Sequence, residues 1–141
     1  MAVVVDYGRS LMELGRYAAR MGKPAGGLKR VGEYLRGLTL QAFRESKDPT
    51  TGAAWAPLAP STIKQRKGKR AQILVDTSGL RRSIVSKITG RNKIAVGTAK
   101  KYGVFHQFGT KNMVPRPFLG FDKRGEKQIE EIMKRWILGK Q

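Results

Sequence analysis

The run Ser83-Ile-Val-Ser-Lys-Ile-Thr-Gly-Arg-Asn-Lys-Ile-Ala-Val-Gly-Thr98 decides the fold. Residues from Ser83 to Thr89 alternate between apolar and polar. Those from Lys93 to Thr98 do the same, with Ile94, Val96 and Thr98 on one face and Lys93, Ala95 and Gly97 on the other. Gly90-Arg-Asn92 between them supplies turn residues, so the spacing predicts a β-hairpin, one face of which can cover a helix.

Working outward, helical periodicity flanks the hairpin. Upstream, Leu28, Val31, Leu35, Leu38 and Ala42 recur at threes and fours, with Tyr34 and Phe43 widening the stripe and Asp48-Pro49 as the stop. Downstream, Ile129, Ile132, Met133, Trp136 and Ile137 form one stripe behind a candidate N-cap at Asp122, and Gly139 ends it. Glu126 near its start and Lys134 and Arg135 near its end complement the helix dipole. The expected fold is α+β: a small antiparallel sheet, made of the hairpin and extended segments, packed against a long central helix and a C-terminal amphipathic helix. A further short amphipathic helix is expected from Arg9 to Met21, followed by a Gly/Pro joint at Gly22–Gly27. This divides the chain into residues 1–27 and a single domain over 28–141. The apolar start, Met1 to Val5, meets Asp6 at once and is far shorter than the core of a signal peptide.

The totals narrow the chemistry. A chain of 141 residues suits one domain. It has no cysteine, which excludes disulfides, thiolate metal sites and cysteine nucleophiles, and no stretch long enough to span a bilayer. The formal charge of +19 favours polyanions or acidic protein surfaces as partners. Ser61–Arg70 is a basic loop in which Lys64, Arg66, Lys67, Lys69 and Arg70 fall within seven residues. It reads either as a solvated loop or as a finger for DNA phosphates or an acidic partner. Ala53–Pro60 is apolar but broken by Pro57 and Pro60, hence an extended arm, with Trp55 anchoring it to its own domain or to a neighbouring subunit. A short helical turn is expected from Asp76 to Arg82.

Tyr102–Gly120 concentrates three of the five Phe, the single His and two of the six Pro, a composition suited to a tight apolar corner or a contact surface. His106 has no second ionisable group beside it in sequence and reads as a packing or hydrogen-bonding residue, neither acid/base nor metal ligand. Phosphate-binding glycine motifs and DNA-reading signatures are absent from the sequence. No catalytic residue, cofactor or metal is expected.

Taken in order, several motifs resemble the virion morphogenesis or tail-completion proteins of tailed bacteriophages, of the kind found in Mu-like phages. They are Pro49, Gly52, Trp55, Pro57-Leu58 and Thr62; Ile73-Leu74, Thr77-Ser-Gly79-Leu80 and Ser83-Ile84; Val96-Gly97-Thr98; Tyr102 with His106-Gln107-Phe108-Gly109-Thr110; and Pro115-Arg116-Pro117-Phe118-Leu119-Gly120. The resemblance spans roughly Leu28 to Ile137. It implies a structural virion protein, not an enzyme, assembled in the host cytoplasm as a ring of six at the neck or top of the tail. That ring completes the tail tube, meets head-connector and neck proteins, and surrounds passing genome DNA, with no membrane involved. On this reading Trp55, Pro57, Leu58, Pro115, Arg116, Pro117 and Phe118 lie at the subunit or partner interface, while Tyr102, His106 and Phe108 lock the corner onto the core. A basic architectural protein that binds DNA without sequence preference is the alternative.

Overall fold

The computed structural model describes residues 2–6, 24–65, 73 and 79–139. The helix expected from Arg9 to Met21 lies outside the described residues, as do Arg66, Lys67, Lys69 and Arg70. The elements are β1 (Ala2–Asp6), α1 (Pro24–Glu45), α2 (Pro60–Gln65), α3 (Gly79–Arg82), β2 (Val85–Gly90), β3 (Lys93–Gly97), α4 (Gly103–Phe108) and α5 (Lys123–Ile137). The α+β class is as expected.

The hairpin forms where the alternation places it. Val85 pairs with Gly97 and Ile88 with Ile94, and an irregularity between Ile88 and Gly90 brings Gly90 opposite Lys93 at the turn. A third strand joins it: β1 runs antiparallel to β3, from Ala2 opposite Gly97 to Asp6 opposite Lys93, giving the order β1-β3-β2. The run Val3-Val-Val5 is therefore an edge strand, in keeping with the preference of β-branched residues for a pleated sheet. The N-terminal strand thus belongs to the same sheet as the hairpin.

Helix α1 crosses one face of the sheet, and α5 packs on α1. Leu28, Val31, Leu35, Ala42 and Phe43 of α1 are buried with Ile84, Ile94, Val96, Ile129 and Met133. Thr39, buried within the same stripe, is satisfied by donating to the Leu35 carbonyl at 3.1 Å. The helix stops at Ser46, whose φ of 54° is left-handed, and Lys47 N–H closes the last turn on the Ala42 carbonyl. Asp48–Gly52 is the tight turn expected, with Thr50 N–H bonded to Asp48 Oδ1 and Gly52 N–H to the Asp48 carbonyl.

The expected joint at Gly22–Gly27 gives way, from Pro24 onward, to the first turn of α1. Gly26 and Gly27 serve there as a seat for α5. A Cβ on Gly27 would lie 2.8 Å from Trp136 Cδ1 and 2.9 Å from Met133 Sδ, and one on Gly26 would run into the same indole. The absence of side chains lets the two helices approach, and Arg30 stacks 5.2 Å from the Trp136 ring centre. Asp122 caps α5 as expected, its Oδ1 accepting from Gly125 N–H at 2.9 Å.

Candidate assembly surface: arm, strap and helix α4

Three segments distant in sequence form one layer beside the core: the arm after α1, helix α4, and the strap Val114–Gly120. Helix α4 starts as Gly103 N–H bonds back to the Lys100 carbonyl, and it ends at Gly109, whose φ of 73° turns the chain away. Thr110 and Met113 then pair across a turn holding Lys111 and Asn112. The chain returns along α4, where Arg116 N–H bonds to the His106 carbonyl at 2.7 Å.

The strap is rich in proline and makes no sheet ladder, so its polar backbone groups must be satisfied in another way. Gln107 does this. Its Oε1 accepts from Phe118 N–H and Leu119 N–H, both at 3.0 Å, and its Nε2 donates to the Leu119 carbonyl at 3.1 Å. The arm and strap are also tied to each other in both directions. Trp55 Nε1 donates to the Pro117 carbonyl at 2.7 Å, while Arg116 donates through Nε to the Ala56 carbonyl and through Nη2 to the Pro57 carbonyl, each at 2.9 Å. Phe43 anchors both segments from below, with the Trp55 ring edge-on at 5.8 Å and the Phe118 ring at 5.3 Å.

These bonds set the rotation of α4. Gly103 and Gln107 face inward, and a Cβ on Gly103 would sit 2.7 Å from Thr98 Cγ2. Val104, Phe105 and Phe108 fall within about 100° of one another on the opposite side of the helix. All three are exposed, Phe105 at 50% and Phe108 at 69%, as are Tyr102, which precedes the helix, and Val114 of the strap. The helix thus turns its Gln inward and its Phe outward, the reverse of an ordinary amphipathic surface helix.

Phe118 and Trp55 are core residues, 0% and 6% exposed within a single chain, so of the two readings of Trp55 it is the anchor of the arm on its own domain that the burial matches. Tyr102 and Phe108 do not lock the corner onto the core but stand at the surface. The physical reason is Gln107, which must face the strap to bond it and so swings Phe108, the next residue, outward. Among the other expected interface residues, Pro57 and Pro115 are exposed and Leu58, Arg116 and Pro117 are half-buried. Of the basic loop, Lys64 is exposed on α2. Gln107 entered the sequence reading only as part of the His106–Thr110 motif, with no role of its own. The available signal was one amide side chain in an aromatic run, eight residues before the first Pro of a segment in need of partners.

His106 is half-buried, with Tyr102 edge-on at 6.0 Å and a buried Nδ1 that has no hydrogen-bond partner. Burial, and secondarily the Arg116 cation, hold its pKa below the usual histidine value. Residues 77–121 contain no Asp or Glu, and the charge that acts on His106 is the Arg116 cation. Among the described residues no cluster of His, Asp or Glu fits a metal ion, and no helix is long and apolar enough to cross a membrane.

Comparison with known proteins agrees with the motif order. A profile of the phage virion morphogenesis family matches residues 8–138. The chain is 34% identical over 100 residues to the Mu-like prophage FluMu G protein 1 of Haemophilus influenzae (strain ATCC 51907 / DSM 11121 / KW20 / Rd), covering 67% of each protein. No solved structure matches. With the match running along nearly its whole length, the chain belongs to the phage virion morphogenesis family, and its role is a structural one in virion assembly.

Proposed function

We propose that the protein forms a ring, of six copies, at the neck or top of the tail, where it completes the tail tube and joins it to the head. The observation that carries this reading is the arm–strap layer: two irregular segments fixed before assembly by Trp55, Gln107 and Arg116, with an apolar rim left in solvent. Pre-ordered segments lose little conformational entropy on docking, which suits them to contacts between subunits. A closed ring needs two unlike surfaces on each copy. The chain offers the rim formed by Pro57, Leu58, Val114 and Pro115, and the outer edge of β2, where Val85 and Ile88 are exposed.

The test is electron microscopy of the protein alone and with isolated tails, together with lysates of a phage from which the gene is deleted. Rings capping the tails, and free heads and tails in the deletion lysate, are expected. Joined, infectious virions in that lysate would refute the reading. Charge supports a second reading as a DNA-binding architectural protein, since residues 49–121 carry fourteen Lys or Arg and one acid, Asp76. Unchanged DNA affinity after replacing Lys64, Arg66, Lys67, Lys69 and Arg70 by Gln would remove that second reading.

A further inference from the structure

The outward face of α4 is neither explained by the fold nor needed for the ring contacts proposed above. We infer that it is a docking surface for an acidic protein: a partner that presents apolar side chains ringed by carboxylates. The inference uses the assembly reading only to say that this partner is another virion component; the surface chemistry stands on its own.

Exposure of Val104, Phe105 and Phe108 on one arc, with Tyr102 leading into the helix, makes an apolar face of the sort that marks an interaction site. Its helix is held from beneath by Gln107 and by the close seat of Gly103, which sets the outward direction of the rings. The sequence on either side of it carries one sign of charge. Lys100 and Lys101 lead into the helix and Lys111 sits on the turn that follows, all exposed, and the 45 residues from 77 to 121 hold nine Lys or Arg and no acid.

Charge selects the occupant. Two copies meeting through this patch would bring two sets of Lys100, Lys101 and Lys111 into one interface, at a repulsive cost that complementary partners avoid. Duplex DNA would satisfy the lysines but leave the Phe and Val side chains without apolar contact, since phosphates are met by cations and polar donors. An acidic protein surface with apolar anchors satisfies both parts at once.

The experiment is fluorescence anisotropy with the full chain and a labelled synthetic amphipathic helix of about five turns, Leu on one face and Glu on its flanks. Parallel titrations use the same helix with Lys for Glu, a poly-Glu peptide of equal charge, and single-stranded and duplex DNA. The Glu/Leu helix is expected to bind at least about tenfold more tightly than the Lys/Leu helix, and more weakly as salt rises from about 0.05 to 0.5 M. The double variant Phe105→Ser/Phe108→Ser, whose charge is unchanged, is expected to lose about tenfold or more of that affinity while melting as the parent does. Lys101→Gln/Lys111→Gln, which leaves the rings in place, is expected to weaken binding and flatten its salt dependence. Equal binding of poly-Glu to the parent and the Phe double variant would overturn the proposal, as would a Phe-dependent affinity for DNA exceeding that for the Glu/Leu helix. Sedimentation velocity supplies the remaining arm: self-association of the parent that the Phe double variant abolishes would make a second copy the occupant. Loss of rings on tails with peptide binding intact would instead count against the ring alone.

Discussion

Phe118→Ala and Phe108→Ala together test the inversion of roles in the strap and α4. The Phe118 ring is wholly buried, packs 5.3 Å from the Phe43 ring, and lies beneath the Gly103 seat, with Trp55 bonded to the carbonyl just before it. Its removal leaves a cavity under three segments that cannot collapse independently, and truncation of a buried Phe of this kind costs about 3–5 kcal/mol. Against a net stability of about 5–15 kcal/mol for a typical domain, that is a large fraction. The expected fall in Tm is roughly 10–20 °C for a chain of this size. Phe108, at 69% exposed, is expected to change stability by no more than about 0.5 kcal/mol on the same truncation. Urea unfolding measures both, with the midpoint shifting and the slope unchanged if only stability moves. A loss below about 1 kcal/mol for Phe118→Ala, or above about 2 kcal/mol for Phe108→Ala, would refute the assignment of core and surface.

Gln107→Leu keeps the bulk but leaves Phe118 N–H and Leu119 N–H unpaired; a loss of about 2–4 kcal/mol is expected, with faster hydrogen exchange at those two amides than elsewhere in the core. Two glycines of α1 are expected to respond with opposite signs. Gly37→Ala, with open space around it, gains about 0.5–1 kcal/mol from helix propensity, whereas Gly27→Ala drives a methyl into Trp136 and Met133 and loses about 1–3 kcal/mol, both read from thermal melts. Acidification is expected to destabilise the protein through His106. Its folded pKa is depressed, so as pH falls below about 6.5 the unfolded chain takes up the proton first and stability drops until the folded pKa is passed. A His106→Gln variant should show a smaller fall in Tm over that window, and identical pH profiles would refute the assignment.

Periodicity alone carried much of the fold. The hairpin, α1 and α5 each bury a face long enough for its repeat to stand out from the noise, and local chemistry marked the turn at Asp48–Gly52 and the cap at Asp122. The sequence also held the evidence for β1 in Val3-Val-Val5, but whether five apolar residues make a strand depends on an open edge of β3 ninety residues away, which periodicity cannot supply. Gly26 and Gly27 look like a joint until Trp136 is placed against them, since composition reports freedom and only packing reports that the freedom is used for close approach. The same holds for the candidate site. The motif order from Pro49 to Gly120 pointed to the family, while the bonds that tie Arg116 and the Pro-rich strap to the arm are visible only in the structure. Which aromatics face inward was decided by the tertiary structure, because α4 is too short to show a period and its rotation is set by three hydrogen bonds between Gln107 and the strap residues Phe118 and Leu119, eleven and twelve residues further on.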